Sequence, residues 1–295
     1  MLGGVEPPDH QRHTSNSMVR THYNRSHMSE KTTSVEVTRV AGHDDRADDV
    51  VAIEEPLEIS AAWTVRGEPH EKNISVTMRT PGDDFDLAVG FLFTEGLVAG
   101  GGDVESVRHW GSPNRVRVAL APHARVDASK LDRHFYTTSS CGICGKTSIE
   151  ALRVATSPLP PRDAIDRDVV HRLPAQLHDA QPAFHATGSV HGAAIFDRAG
   201  TLLRAREDVG RHNAVDKVIG SFVRENATPL SDAILAVSSR ASFEIVQKAI
   251  MAGIPTVAAV GGPSSLAIEL AREFGVTLLG FVRDGRFNVY SGEVR

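Results

Sequence analysis

The stretch Ser231 to Arg286, SDAILAVSSRASFEIVQKAIMAGIPTVAAVGGPSSLAIELAREFGVTLLGFVRDGR, decides the fold. Short apolar runs alternate in it with amphipathic ones. Ile234 to Val237 is predicted as a buried strand, Phe243 to Ala252 as a helix, Thr256 to Val260 as a strand, Ser264 to Phe274 as a helix and Val276 to Val282 as a strand. This βαβαβ order predicts an α/β protein with a parallel sheet. Loops at the carboxyl ends of such strands line up along one sheet edge, where ligands bind. Here they read Ser238, Ser239, Arg240, Ala241, Ser242, then Gly261, Gly262, Pro263, Ser264, Ser265, then Arg283, Asp284, Gly285, Arg286. Two of them open helices whose free N–H groups and positive dipole ends, with arginine nearby, suit a phosphate. Any one such loop is equally a solvated turn with Ser and Gly as caps; their recurrence points to a nucleotide-like or otherwise phosphorylated ligand.

Working upstream, Glu207 to Asn213 (EDVGRHN) is a fourth segment of similar character, leading into a helix with Val215, Val218, Ile219 and Phe222 on one face and Lys217 one turn from Asn213. Between Ser157 and Pro182, the prolines 158, 160, 161, 174 and 182 favour irregular backbone or a short helix over a long one. Leu57 to Gly67 and Asn73 to Thr80 alternate as strands, and a helix follows through Phe85 to Phe93 with Asp84 and Asp86 in its first turn. Val104 to Trp110 and Arg115 to Leu120 alternate again, so a small ββαββ unit is expected. The division implied is a disordered extension over 1–50, a small α+β domain over 51–128 and an α/β domain over 129–295. Within the extension, the first 30 residues carry His10, Arg12, His13, His22, Arg25 and His27 with no apolar run that could form a signal-peptide core.

At 295 residues, 41% hydrophobic and 23% charged, the chain has the composition of a globular protein with room for a buried core. A net charge of −5 gives no general attraction to nucleic acid or anionic membrane, so neither is expected as a partner. No segment offers the ~18 uninterrupted apolar residues of a membrane span. Cytoplasmic location with reduced thiols is expected. The only two cysteines, Cys141 and Cys144, exclude a disulfide framework and a four-cysteine zinc site together.

Those two thiols stand in SSCGICGK, Ser139 to Lys146, and Thr147 with Glu150 forms a capping-box pair for the helix that follows. A CxxC turn, a helix dipole and Lys146 each lower a thiol pKa, and the thiolate is the form that attacks sulfur or binds metal. A P-loop is rejected because Ser140 occupies the position of the first glycine in GxxxxGK[ST]. A thioredoxin-like dithiol lacks its apolar strand. A zinc site needs a further ligand, which His185, His191 or His212 can supply, and a sulfur carrier takes persulfide sulfur by thiol exchange. Two buried small hydrophobes fit a glycine-flanked loop poorly. His191, within TGSVHGAAIF, is expected to face the same cavity as the cysteines because small residues permit close backbone approach.

From about Glu55 onward the chain resembles the formate dehydrogenase accessory sulfurtransferases. The resemblance rests on MRTPG (Met78–Gly82), LAVGFLFTEG (Leu87–Gly96), SSCGICG (Ser139–Gly145), EDVGRHNAVDKVIG (Glu207–Gly220), SSRAS (Ser238–Ser242) and GFVRDGRFNVY (Gly280–Tyr290). It implies a cytidine-deaminase-like three-layer domain with a smaller N-terminal α+β domain, and a homodimer. It implies sulfur received from a cysteine desulfurase and passed to Mo-bis(molybdopterin guanine dinucleotide), bound as substrate, for formate dehydrogenase. By position, the resemblance makes Cys141 the persulfide carrier with Cys144 supporting, and Phe281, Val282, Arg283, Asp284, Gly285 and Arg286 the nucleotide site. No metal ligand is assigned, since the deaminase H-x-E and P-C-x-x-C signature is missing. A zinc-dependent deaminase-type hydrolase and a non-catalytic cofactor chaperone are the alternatives.

Overall fold

The computed structural model describes residues 31–42, 44–124, 156–283 and 285–295. Cys141, Cys144, their flanking loop and Asp284 lie outside the described residues, as does the extension over 1–30.

The N-terminal half is built from hairpins. Strands β1 (Thr32–Val40) and β2 (Asp44–Ala52) pair antiparallel from Thr32 opposite Ala52 to Val40 opposite Asp44. This corrects the disorder expected over 32–50. The pair is largely exposed, so it needs little apolar patterning, and its Asp-rich second strand carries none of the usual strand signal. Strands β3 (Glu55–Val65), β4 (Glu68–Arg79), β5 (Val104–His109) and β6 (Arg115–Leu120) form a four-stranded sheet in the order β4-β3-β6-β5, with helix α1 (Asp84–Thr94) between β4 and β5 in sequence. These follow the ββαββ expectation closely.

The proline-rich stretch departs from expectation. Residues Arg167–Asp179 form a 13-residue helix, α2, with Pro174 inside it. Asp166 caps it, its carboxylate accepting the Asp168 N–H at 2.8 Å. Val169, Val170, Leu173 and Leu177 recur at helical spacing and are all buried, and that packing outweighs the one backbone bond that proline cannot donate. A short helix α3 (Pro182–Thr187) follows, then strands β7 (His191–Asp197) and β8 (Leu202–Asp208) and helix α4 (Arg211–Arg224).

The C-terminal run is β9 (Ala233–Val237), α5 (Phe243–Met251), β10 (Thr256–Ala259), α6 (Ser265–Phe274), β11 (Thr277–Arg283) and β12 (Arg286–Ser291). The six-stranded sheet has the order β12-β11-β10-β9-β7-β8; β9, β10 and β11 are parallel, and the outer pairings are antiparallel. The sheet is therefore mixed where a parallel one was expected, because β7 and β8 form a hairpin and β12 folds back on β11.

Side chains alternate across this sheet with period two. Ala193, Ile195, Leu235, Val237, Val257 and Leu278 pack toward α4, α5 and α6. Ala194, Phe196, Ile234, Ala236, Ala258 and Leu279 pack toward α2. Leu57 and Ile59 of β3, with Leu87 and Val89 of α1, belong to the first of these clusters, so one core runs from the four-stranded to the six-stranded sheet through α1 and α4. Gly90 and Gly220 permit that contact: a Cβ on Gly220 would stand 1.9 Å from the Asp86 carbonyl oxygen, and one on Gly90 equally close to that of Asp216. No helix among the described residues is long and apolar enough to cross a membrane.

Candidate functional site

Strand directions bring five segments to one edge of the six-stranded sheet. The carboxyl ends of β9, β10 and β11 lie there by parallel pairing. His191 at the start of β7 joins them because Ala193 pairs with Val237, and Asp208 at the end of β8 because it pairs with His191.

Backbone bonds tie the three loops together beyond the strands. Gly261 N–H donates to Ser239 O at 3.0 Å, Ser264 N–H to Ala241 O at 3.1 Å, and Phe281 N–H to Gly261 O at 3.0 Å. The Ser264 hydroxyl accepts from Ala267 N–H and caps α6. Gly261 and Gly262 lack a side chain for a reason: a Cβ would meet the Arg240 backbone at 2.9 Å in the first case and the Phe281 ring at 2.6 Å in the second. The edge predicted from the sequence is thus a continuous structure.

Of the six expected nucleotide residues, the five that are described, Phe281, Val282, Arg283, Gly285 and Arg286, lie in the β11–β12 hairpin at this edge. Phe281 has φ +53° and a half-exposed ring lying over Gly262; Gly285 turns the chain at φ +74°. Arg283 and Arg286 pair across the hairpin and are exposed. Val282 is 1% exposed and packs into the core beside Leu279, so it holds the hairpin down rather than facing a ligand.

The Glu207–Asn213 segment behaves differently from its expectation as a phosphate loop. Lys217 Nζ and Asp208 Oδ2 form an ion pair at 2.7 Å with both side chains fully buried. Lys217 also donates to the Thr80 carbonyl at 2.8 Å, Asp208 accepts the Thr80 N–H at 3.1 Å, and Asn213 Nδ2 donates to Met78 O at 2.8 Å. The MRTPG motif is the other half of this latch. Arg79 is buried with its guanidinium forked onto Asp84, both bonds at 2.9 Å. These residues join β4 to α4 and so fix the helix start at the sheet edge; their chemistry is spent on the fold. Glu207 likewise turns inward and accepts the Ala183 and Phe184 N–H groups at the start of α3.

Of the three candidate histidines, His185 is exposed on α3, with its ring 4.4 Å from that of His178. His212 has Nε2 3.3 Å from Ser242 Oγ and 3.7 Å from a Glu244 oxygen. Burial, with help from Lys248 and Arg211, pushes its pKa down to about 4 against the opposing pull of Glu244 and Glu95. Burial also resists charging Lys248, yet Asp216 at 2.9 Å and Glu95 at 3.2 Å hold the ammonium above its ordinary pKa. His191 is half-buried; burial and then Arg211 lower its pKa, with Asp208 opposing. It lines a cavity of about 530 Å³ bounded by α2, α3 and the ends of β7, β9 and β10; the cysteines expected to share a cavity with it lie outside the described residues. Among the described residues no group of three His, Cys, Asp or Glu side chains is arranged to hold a metal ion. Sequence reasoning missed Gln181, which is buried on the wall of that cavity; nothing in its local pattern marks it.

The fold and site define a mixed α/β protein whose glycine, serine and arginine loops gather at one strand edge beside a cavity. The model of the FdhD/NarQ family matches residues 52–295, and the chain belongs to that family. It is 46% identical over 253 residues to the "Sulfur carrier protein FdhD" of Mycolicibacterium paratuberculosis, covering 82% of this chain and 90% of that one. It is 47% identical over 256 residues to the protein of the same name from Nocardia farcinica, covering 85% and 89%. A crystal structure described as a formate dehydrogenase accessory protein, from Desulfotalea psychrophila, aligns with TM-score 0.67 at 24% identity over 89% of this chain and 97% of that one, and shares the fold.

Proposed function

We propose that this protein is a sulfur carrier in formate dehydrogenase maturation. The observation that carries this is the identity of 46–47%, over more than four-fifths of the chain, to proteins named as sulfur carriers. In the loading step the Cys141 thiolate attacks the outer sulfur of a persulfide on a cysteine desulfurase. The donor S–S bond breaks, the donor thiolate leaves, and Cys141 holds the persulfide, with Cys144 assisting. The sulfur is then handed to Mo-bis(molybdopterin guanine dinucleotide), bound as substrate.

What the chain contributes to binding is the strand edge. The exposed Arg283 and Arg286 guanidiniums suit a diphosphate, and the Phe281 ring offers a face to a base. The same proposal includes a cytidine-deaminase-like core, a homodimer and action in the cytoplasm. Cys141→Ala tests it: formate dehydrogenase activity in cells carrying only this variant is expected to fall to background while the purified protein keeps its thermal transition. Activity retained at the wild-type level would favour a chaperone that delivers cofactor without thiol chemistry.

A further inference from the structure

Strands β1 and β2 form an arm that stands off the body of the protein. Its side chains alternate between two faces. Val35, Val37, Ala47 and Val51 are half-buried on one face, and the arm packs against α3. The opposite face is exposed along its whole length, with Glu36, Val40, Asp44, Arg46, Asp48 and Val50 on it. A hairpin of two strands is marginally stable in water, so an open face of this length calls for a cover.

The chemistry of that face selects the cover. Val40 is 77% exposed and Val50 39%. Glu36 and Arg46 neutralise each other at 3.3 Å, whereas the Asp44 and Asp48 carboxylates pair with no cation among the described residues, so the face is acidic with an apolar border. The complement stands on the same chain. The exposed Arg283 and Arg286 guanidiniums pair with no carboxylate among the described residues, and the half-exposed Phe281 ring precedes them on the same hairpin.

Position decides how the two meet. Glu207 holds α3 at the β7–β8 end of the strand edge, so the arm stands at that end. The arginines stand at the β11–β12 end, and β7 and β12 are separated by the strands between them, about 20 Å of sheet. A two-fold contact joins one patch to the same patch on a second copy, residue i meeting j and j meeting i. An axis through the middle of the strand edge carries each arm to the arginines of the other copy. We propose that the exposed face of the β1–β2 arm docks on the Arg283–Arg286 hairpin of a second copy of this chain, so that each strand edge is lined by residues of both copies. The inference rests on the homodimer of the proposed function and assigns its contact, with Asp44 and Asp48 set against the arginines that would take the diphosphate.

Sedimentation equilibrium of the full chain tests it by exchanging charge. Asp44→Lys with Asp48→Lys gives a copy whose arm and edge are both basic, and Arg283→Glu with Arg286→Glu gives one in which both are acidic. Each variant alone should have its dimer dissociation constant raised about tenfold or more, since like charges then meet at both symmetric contacts. An equal mixture of the two should form a heterodimer as tight as the wild-type dimer, because each acidic arm meets a basic edge and each basic arm an acidic one. All four positions are exposed, and the wild-type dimer should weaken as salt is raised from about 0.05 M to 1 M, which reads the same contact without any substitution. Variants that dimerise as the wild type does, a mixture that stays monomeric, or a wild-type dimer indifferent to salt would overturn the inference and leave the homodimer standing; a chain monomeric at every concentration would overturn both. Sulfur gain at Cys141 is read separately, by mass.

Discussion

At the scale of single residues, most of the charged chemistry that drew notice in the sequence is used to hold the fold. Asp208, Asn213 and Lys217 read as one more polar loop, yet Lys217 donates to the Thr80 carbonyl, 137 positions away, from a fully buried site. A partner that far along the chain leaves no local pattern, which is why the latch was illegible while the SSRAS and GGPSS loops, whose placement follows from strand direction, were not. His212 yields a pH prediction. Its folded pKa of about 4 lies below the unfolded value of about 6.5, so the unfolded chain takes up a proton that the folded one refuses. Stability from this group is fully present above pH ~6.5 and is lost as pH falls toward ~4. Lys248 and Arg211 push against the charged form and Glu244 and Glu95 favour it, so the loss is the balance of those four and burial. Urea midpoints from pH 7 to pH 4 should show wild type losing on the order of 2 kcal/mol more than His212→Gln. Parallel curves would mean that the ring is not held neutral.

At the scale of elements, the strands and helices that carry strong periodicity were legible, and their bounds hold to within a few residues from Ala233 to Arg283. Two elements were not. The exposed β1–β2 hairpin lacks an apolar face to announce it, and α2 is a helix because Val169, Val170, Leu173 and Leu177 bury on the sheet, a tertiary gain that outweighs the local objection of Pro174. The crossing of α1 and α4 depends on two glycines that local reasoning treats as helix weak points. Gly220→Ala places a methyl group against the Asp86 carbonyl, a rigid backbone atom that cannot yield cheaply. A loss of about 3 kcal/mol or more is expected by chemical denaturation, whereas a helix interior that tolerated the methyl would gain from alanine.

At the scale of the whole molecule, the sequence suggested a small N-terminal domain, while the buried cluster is continuous from β3 through α1 and α4 to β9. The expected boundary near residue 128 falls outside the described residues. Both tryptophans, Trp63 and Trp110, lie in or beside the four-stranded sheet, and most helix lies against the six-stranded one. Tryptophan fluorescence and helical circular dichroism should therefore report one transition at the same midpoint, and separated midpoints would show two independent units. The same continuity gives the strand edge a rigid support, which suits the proposed presentation of a reactive sulfur to a bound substrate. The central claim is that sulfur passes through Cys141. It is tested most directly by incubating the protein with a cysteine desulfurase and cysteine and weighing the peptide that contains Cys141 and Cys144. A gain of one sulfur atom, absent in Cys141→Ala, is the predicted result; no gain on either cysteine would contradict the account.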